Sequence, residues 1–164
     1  MFRSFIFFFL SLTLFAAEDI NGFWKTISDK DGSAQCIIAV YEYQGLRYGR
    51  IIGTFDDNGK MADNIYHPVK RAPGVVGEPP YSGLDIIWDL EDAGSKFKGR
   101  ILDPEHGNVY KSELWLDGKN LIVRGKLLMF GRSQTWLPAV KADFPKDFKM
   151  PDLKKLIPSV PQTK

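Results

Sequence analysis

The chain has 164 residues, 44% hydrophobic and 13% aromatic, enough for one packed domain. Its formal charge is +2, from 22 Lys and Arg against 20 Asp and Glu spread along the length. There is no basic block or Arg-rich helix, which argues against a nucleic-acid partner, and the single cysteine, Cys36, excludes an intrachain disulfide. Cys36 sits in a strand-like run with no neighbouring base, so it reads as a small buried residue rather than a reactive thiol.

Residues 1–17 are organised like a secretory signal peptide. Arg3 gives a basic start, Phe5 to Phe15 is apolar, Ala16-Ala17 supplies small residues, and Glu18-Asp19 restores polarity. The apolar run is short against the roughly 20 residues that span a bilayer, and no cysteine follows it for lipid attachment. The expected organisation is a signal peptide over 1–17, a β-barrel over 18–137 and a Pro-rich C-terminal tail over 138–164. Such a chain is exported to the periplasm or beyond the cell, without stable membrane insertion.

Beyond Glu18, β-branched and aromatic residues alternate with polar ones in runs separated by turn residues. The expected strands are Ile20–Ile27, Ala34–Tyr43, Leu46–Phe55, Leu84–Leu90, Lys96–Leu102, Lys111–Trp115, Leu121–Gly125 and Phe130–Trp136. Asp31-Gly32, Gln44-Gly45 and Asp117-Gly118 mark tight turns, and Asp103-Pro104-Glu105-His106-Gly107 marks another. Gly49 and Gly53, inside the third run, signal bulges in a sheet that curls. The connection 56–83 is long, rich in Pro and Gly and aperiodic, a pattern common in functional loops. The tail carries Pro138, Pro145, Pro151, Pro158 and Pro161, with a short helical segment near Asp152–Leu156, and is expected to dock or to stay loose.

Eight antiparallel strands with hairpin-length connections can close into an up-and-down barrel. Its interior is filled by side chains or holds one small ligand. The expected fold is therefore all-β, an eight-stranded antiparallel barrel with a long loop between strands three and four able to cap a mouth. Alternation places Leu46, Tyr48, Arg50 and Ile52 on one face, and Leu84, Ile86 and Trp88 on another. Val109, Lys111, Glu113 and Trp115 share a face, as do Phe130, Arg132, Gln134 and Trp136. Faces that mix aromatics with charge pair those charges inside, line a partly polar cavity, or point outward.

Tyr48, Arg50, Trp88, Arg100, Trp115 and Phe130 are the candidate ligand-binding residues. The aromatics suit an apolar pocket, and a guanidinium fork suits a carboxylate or phosphate. Asp103, Glu105 and His106 form a tight titratable cluster that reads first as a turn and second as a candidate for acid–base or metal chemistry. The other histidine, His67, lies in the long loop. No Gly-x-Ser-x-Gly elbow, His-Glu-x-x-His, phosphate loop or Cys-x-x-Cys occurs, so no catalytic residue, metal or cofactor is expected.

Asn21-Gly22-Phe23-Trp24 is similar to the Gly-x-Trp that opens lipocalin-type barrels. That resemblance implies a Trp24 lying across the closed end, with Gly22 beside it and an Arg of the last strand packed over it. Arg132 is the best match and Arg124 the second. The chain also resembles a family of small exported bacterial proteins, a domain of unknown function with a lipocalin/calycin-like barrel. Gly22–Thr26, Tyr48–Ile51, Gly99–Tyr110 and Phe130–Trp136 carry that resemblance, over residues 21–136. It implies a barrel and export, and brings no activity with it. Together with the aromatic faces and the long loop, it leads to an expected lipocalin-like protein that binds or transports a small, partly apolar ligand. The alternative is a non-enzymatic interaction scaffold acting through 56–83 and the tail. An enzyme centred on Asp103, Glu105 and His106 comes third. Arg47 and Arg50 on opposite faces of the third strand argue against an outer-membrane barrel, whose outward band is apolar.

Overall fold

The computed structural model describes residues 17–127 and 130–164; side chains of 126, 127, 130 and 131 are outside the description. The expected signal peptide lies outside the described residues, apart from Ala17. Among the described residues the strands are β1 (Gly22–Ile27), β2 (Ala34–Tyr43), β3 (Leu46–Phe55), β4 (Met61–Asn64), β5 (Asp85–Asp92), β6 (Phe97–Asp103), β7 (Asn108–Asp117), β8 (Asn120–Leu127) and β9 (Phe130–Pro138). The sheet runs β2-β1-β9-β8-β7-β6-β5-β3, and β3 pairs back onto β2. Eight strands thus close an antiparallel barrel, as expected from the sequence. β4 is an addition inside the 56–83 connection, pairing Gly53 with Asn64 and Thr54 with Asp63 at the rim of β3. Four residues are too few for alternation to announce a strand. The register of β3 shifts on both sides of Gly49 and next to Gly53, where the barrel wall bends.

The meander gives the barrel two unlike ends. At one, the tight turns after β2, β5 and β7 gather with the start of β1. There Trp24, Leu90, Phe97, Leu114 and Leu121 are buried in one cluster. The Trp24 indole Nε1–H donates to the Ile20 carbonyl at 2.9 Å, so its polar atom is satisfied inside. The Arg47 guanidinium lies 4.3 Å from the Phe97 ring centroid and 3.3 Å from Glu42. This end is closed.

The other end carries the longer connections. Residues 65–84 fold over it and bury Ala72, Val75, Tyr81 and Leu84. They are tied to the β6–β7 turn by Gly74 N–H donating to the Pro104 carbonyl at 3.0 Å. A Cβ on Gly74 would collide with the backbone of Gly107, so only glycine permits this approach.

The tail docks. β2 contains Ile37-Ile38-Ala39-Val40, apolar on both faces, and a strand of that kind needs cover on both. Ile38 and Val40 join the interior cluster, while Ile37 and Ala39 join Ile52 and Met61 on the outside. Phe144, Phe148, Leu153 and Leu156 of the tail pack onto that outer group. Phe144 stacks on Phe148 at 5.2 Å, Tyr66 meets Phe148 edge-on at 5.4 Å, and Lys25 pairs with Asp143 at 2.7 Å.

Candidate functional site

The barrel holds a cavity of about 690 Å³, open to solvent at its mouth, at the end bearing residues 65–84. Ile51, Ile86, Leu102, Val123 and Trp136 give it apolar walls, and Thr26, Cys36, Tyr110 and Gln134 add polar points. Gly125 leaves part of the wall without a side chain. A Cβ built on Gly125 meets only Ile101 Cγ2, at 3.8 Å. Trp136 Nε1–H donates to Gln134 Oε1 at 3.1 Å, and Cys36 N–H donates to Thr26 Oγ1 at 3.2 Å. Burial pushes the Cys36 thiol up to about 11, against the hydrogen bond from Thr26. It is therefore a neutral wall group at ordinary pH.

The rim combines the covering loop with strand ends. Buried Asp63 anchors the loop, accepting from Val69 N–H at 2.7 Å, from Lys70 N–H and from the Ser82 hydroxyl. Tyr81 Oη–H donates to Glu105 at 2.7 Å, and the Lys70 ammonium sits 4.5 Å from the Tyr81 ring centroid. Burial, then the Glu105 hydrogen bond, raises the Tyr81 pKa, so this hydroxyl remains a donor. Asp103 accepts from Glu105 N–H at 3.0 Å and pairs with His106 Nδ1 at 2.7 Å. That hydrogen bond holds the His106 pKa above the ordinary histidine value. Arg132 also lines the cavity and is exposed.

Of the residues expected to bind ligand, Tyr48, Arg50, Trp88, Arg100 and Trp115 do not line this cavity. Tyr48 stacks on Tyr41 at 5.8 Å, while neighbouring Gly49 faces Ile38 and Ile87 inside. Tyr48 and Arg50 therefore share the outward face. Arg50 binds buried Asp85 through Nε at 3.1 Å and Nη2 at 2.7 Å, and donates to the tail carbonyl of Ile157 at 2.7 Å. Asp85 also accepts from Tyr41 Oη–H at 2.9 Å and Ser159 N–H at 2.8 Å. This network fastens the tail to the outer face, and none of its residues lines the cavity.

Trp88 is buried in the core and does not line the cavity. Arg100 lines a separate shallow groove on β5–β7 with Asp89, Lys98 and Lys111. Trp115 lies beneath the Lys96 ammonium, 4.1 Å from its ring centroid. The Phe130 side chain is outside the described residues.

Trp24 and Gly22 stand at the closed end, but the register pairs Trp24 with Pro138 and Arg132 with Gly125. Six residues of β9, roughly 20 Å, separate Pro138 from Arg132, so Arg132 does not pack over Trp24. Nor does Arg124, which pairs with Glu113 and Ser133 farther up the wall. Arg47, a residue the resemblance did not point to, stands at the closed end against Phe97 and Glu42.

Three cavity features were missed. Lys70 and Tyr81 lie in the aperiodic loop, and Gly125 draws attention only by its absence of a side chain. Asp103 and Glu105 do reach the mouth, whereas His106 points to solvent with 69% of its side chain exposed.

A family model described as "Uncharacterized protein conserved in bacteria (DUF2147)" matches residues 22–137. Among solved structures the chain is similar to protein HP1028 of the human pathogen Helicobacter pylori, described as belonging to the lipocalin family. The two share 18% identity at a TM-score of 0.58, covering 76% of this chain and 86% of that one. At this identity the likeness establishes the fold. No functionally curated protein matches the chain.

Proposed function

Because the chain belongs to the bacterial family DUF2147 and folds as a lipocalin-like barrel, we propose that it is an exported carrier that binds a small, partly apolar ligand inside the barrel. The carrying observation is the cavity of about 690 Å³, within the ~300–1,000 Å³ of typical small-molecule sites. It has apolar walls, a few fixed polar groups and a folded cover, and the opposite end is sealed. The role is binding rather than chemistry, since Asp103, Glu105 and His106 are engaged in turn and rim contacts. A charge ladder, Glu91–Lys98–Glu113–Arg124, runs in register across β5 to β8, with Glu91 and Lys98 exposed and Glu113 buried, in place of an outward apolar band.

Native mass spectrometry of protein taken from its own exported fraction tests the reading. A bound mass is expected, released on denaturation. Gly125→Phe fills the cavity from a position with room for a side chain, and is expected to abolish that mass while the barrel stays folded by circular dichroism. Retention of the mass in Gly125→Phe would place the ligand outside the barrel and sink the proposal.

A second reading, an interaction scaffold, is favoured by the exposed apolar side chains of Val69 (74%), Val76 (53%) and Ile157 (66%) on the loop and tail. Serine at all three positions is expected to abolish partner capture under that reading, and to leave cavity binding intact under the carrier reading.

A further inference from the structure

We infer that the ligand is an amphiphile with one anionic group, a carboxylate or a phosphate ester, held at the mouth by Lys70 and Arg132 with its apolar body running toward Trp136. This rests on the carrier reading and specifies its chemistry. Charged side chains on the cavity come from Lys70, Asp103, Glu105 and Arg132. The two acids are already engaged, Asp103 by His106 and a backbone N–H, and Glu105 by the Tyr81 hydroxyl. Neither cation has an ion-pair partner among the described residues.

Lys70 rests on the face of Tyr81, a contact that favours an ammonium without cancelling its charge. Arg132 forms no ion pair with a carboxylate among the described residues. Both cations stand at the open end, Lys70 in the covering loop and Arg132 as the third residue of β9. Deeper in, Ile51, Ile86, Val123 and Trp136 offer no group to compensate a second charge. A cationic head group would gain no partner from Lys70 or Arg132, and a neutral one would use the charge of neither. An anion satisfies both, and the Arg132 fork suits the paired oxygens of a carboxylate or phosphate.

The test is isothermal titration calorimetry of the full chain with four probes that share one tail: decanoate, decyl phosphate, decanol and decyltrimethylammonium. At low salt at least one anion is expected to bind about tenfold tighter than decanol, and the cation weakest of all. Arg132→Gln and Lys70→Gln are each expected to remove several-fold of that advantage and to leave decanol affinity unchanged. Both side chains are exposed, so the fold survives, and circular dichroism verifies it. The stronger of the two anions identifies the head group. Decanol binding as tightly as both anions, or an anion advantage that survives both substitutions, overturns the inference while the carrier stands. Failure of all four probes overturns the inference, and the carrier reading is then decided separately by the native bound mass with and without Gly125→Phe.

Discussion

Asp85→Asn probes the buried charge that joins barrel to tail. The Asp85 side chain is fully buried, and its oxygens accept from Tyr41, from Arg50 twice, and from Ser159 of the tail. Asparagine keeps one acceptor oxygen but turns an NH₂ toward donors, and it leaves the guanidinium without its counter-charge. Removing one partner of a buried pair typically costs about 3–5 kcal/mol. Because 18% of the Arg50 side chain is exposed, water relieves part of this, and the expected loss is about 2–4 kcal/mol. For a chain this size each kcal/mol moves Tm by about 2–4 °C, so a fall of about 5–15 °C is expected. Urea unfolding measures the loss, and hydrogen exchange over residues 153–164 shows where it acts. A loss below about 0.5 kcal/mol would refute the reasoning, because no buried charge would then have been stranded. A full loss with unchanged tail exchange would show that the pair stabilises the barrel alone. Arg50→Met with Asp85→Leu, which removes both charges, is expected to recover much of the stability.

Trp24→Ala empties the closed end and is expected to cost about 3–5 kcal/mol in urea unfolding, whereas Arg132→Ala leaves stability within about 0.5 kcal/mol. Gly74→Ala forces a Cβ into the Gly107 backbone and is expected to cost about 1–3 kcal/mol, with faster release of a bound probe in stopped-flow displacement. His106 is expected to titrate by NMR above the ordinary value of 6.5, and Asp103→Asn brings it back down. Since the folded-state pKa is raised, the charged His106–Asp103 contact is fully present below 6.5 and is lost as pH rises through the folded-state value.

The ring of strands was legible because alternation and turn residues act locally. The bounds expected for the second and third strands, Ala34–Tyr43 and Leu46–Phe55, are those observed. Alternation also grouped the right side chains, such as Tyr48 with Arg50 and Gln134 with Trp136. It does not say which group faces in. On β3 the aromatic and charged face turned outward, because Asp85 and the tail bury it there. On β9 the corresponding face turned inward, with Arg132 near enough to the mouth to stay wet. One cue was available. Ile37 to Val40 is apolar without alternation, which announces a strand covered on both sides and hence a tail that docks. Lys70 and Tyr81 were beyond reach, since their place depends on a loop pinned by Asp63, Gly74 and Pro104 rather than on any period.

The end of the tail does not stop at the barrel wall. Gln162 accepts from Val76 N–H at 2.8 Å, Lys164 N–H donates to the Gly74 carbonyl at 3.2 Å, and its side chain reaches Glu78 at 2.6 Å. The cover of the cavity is thus hydrogen-bonded to a strap whose other end is seated on Arg50 and Asp85. Lifting the cover would disturb contacts on the far side of the wall as well as those at the rim. Loosening the strap at Arg50 and Asp85 would therefore reach the cavity mouth through the chain itself, with no contact between that pair and a ligand.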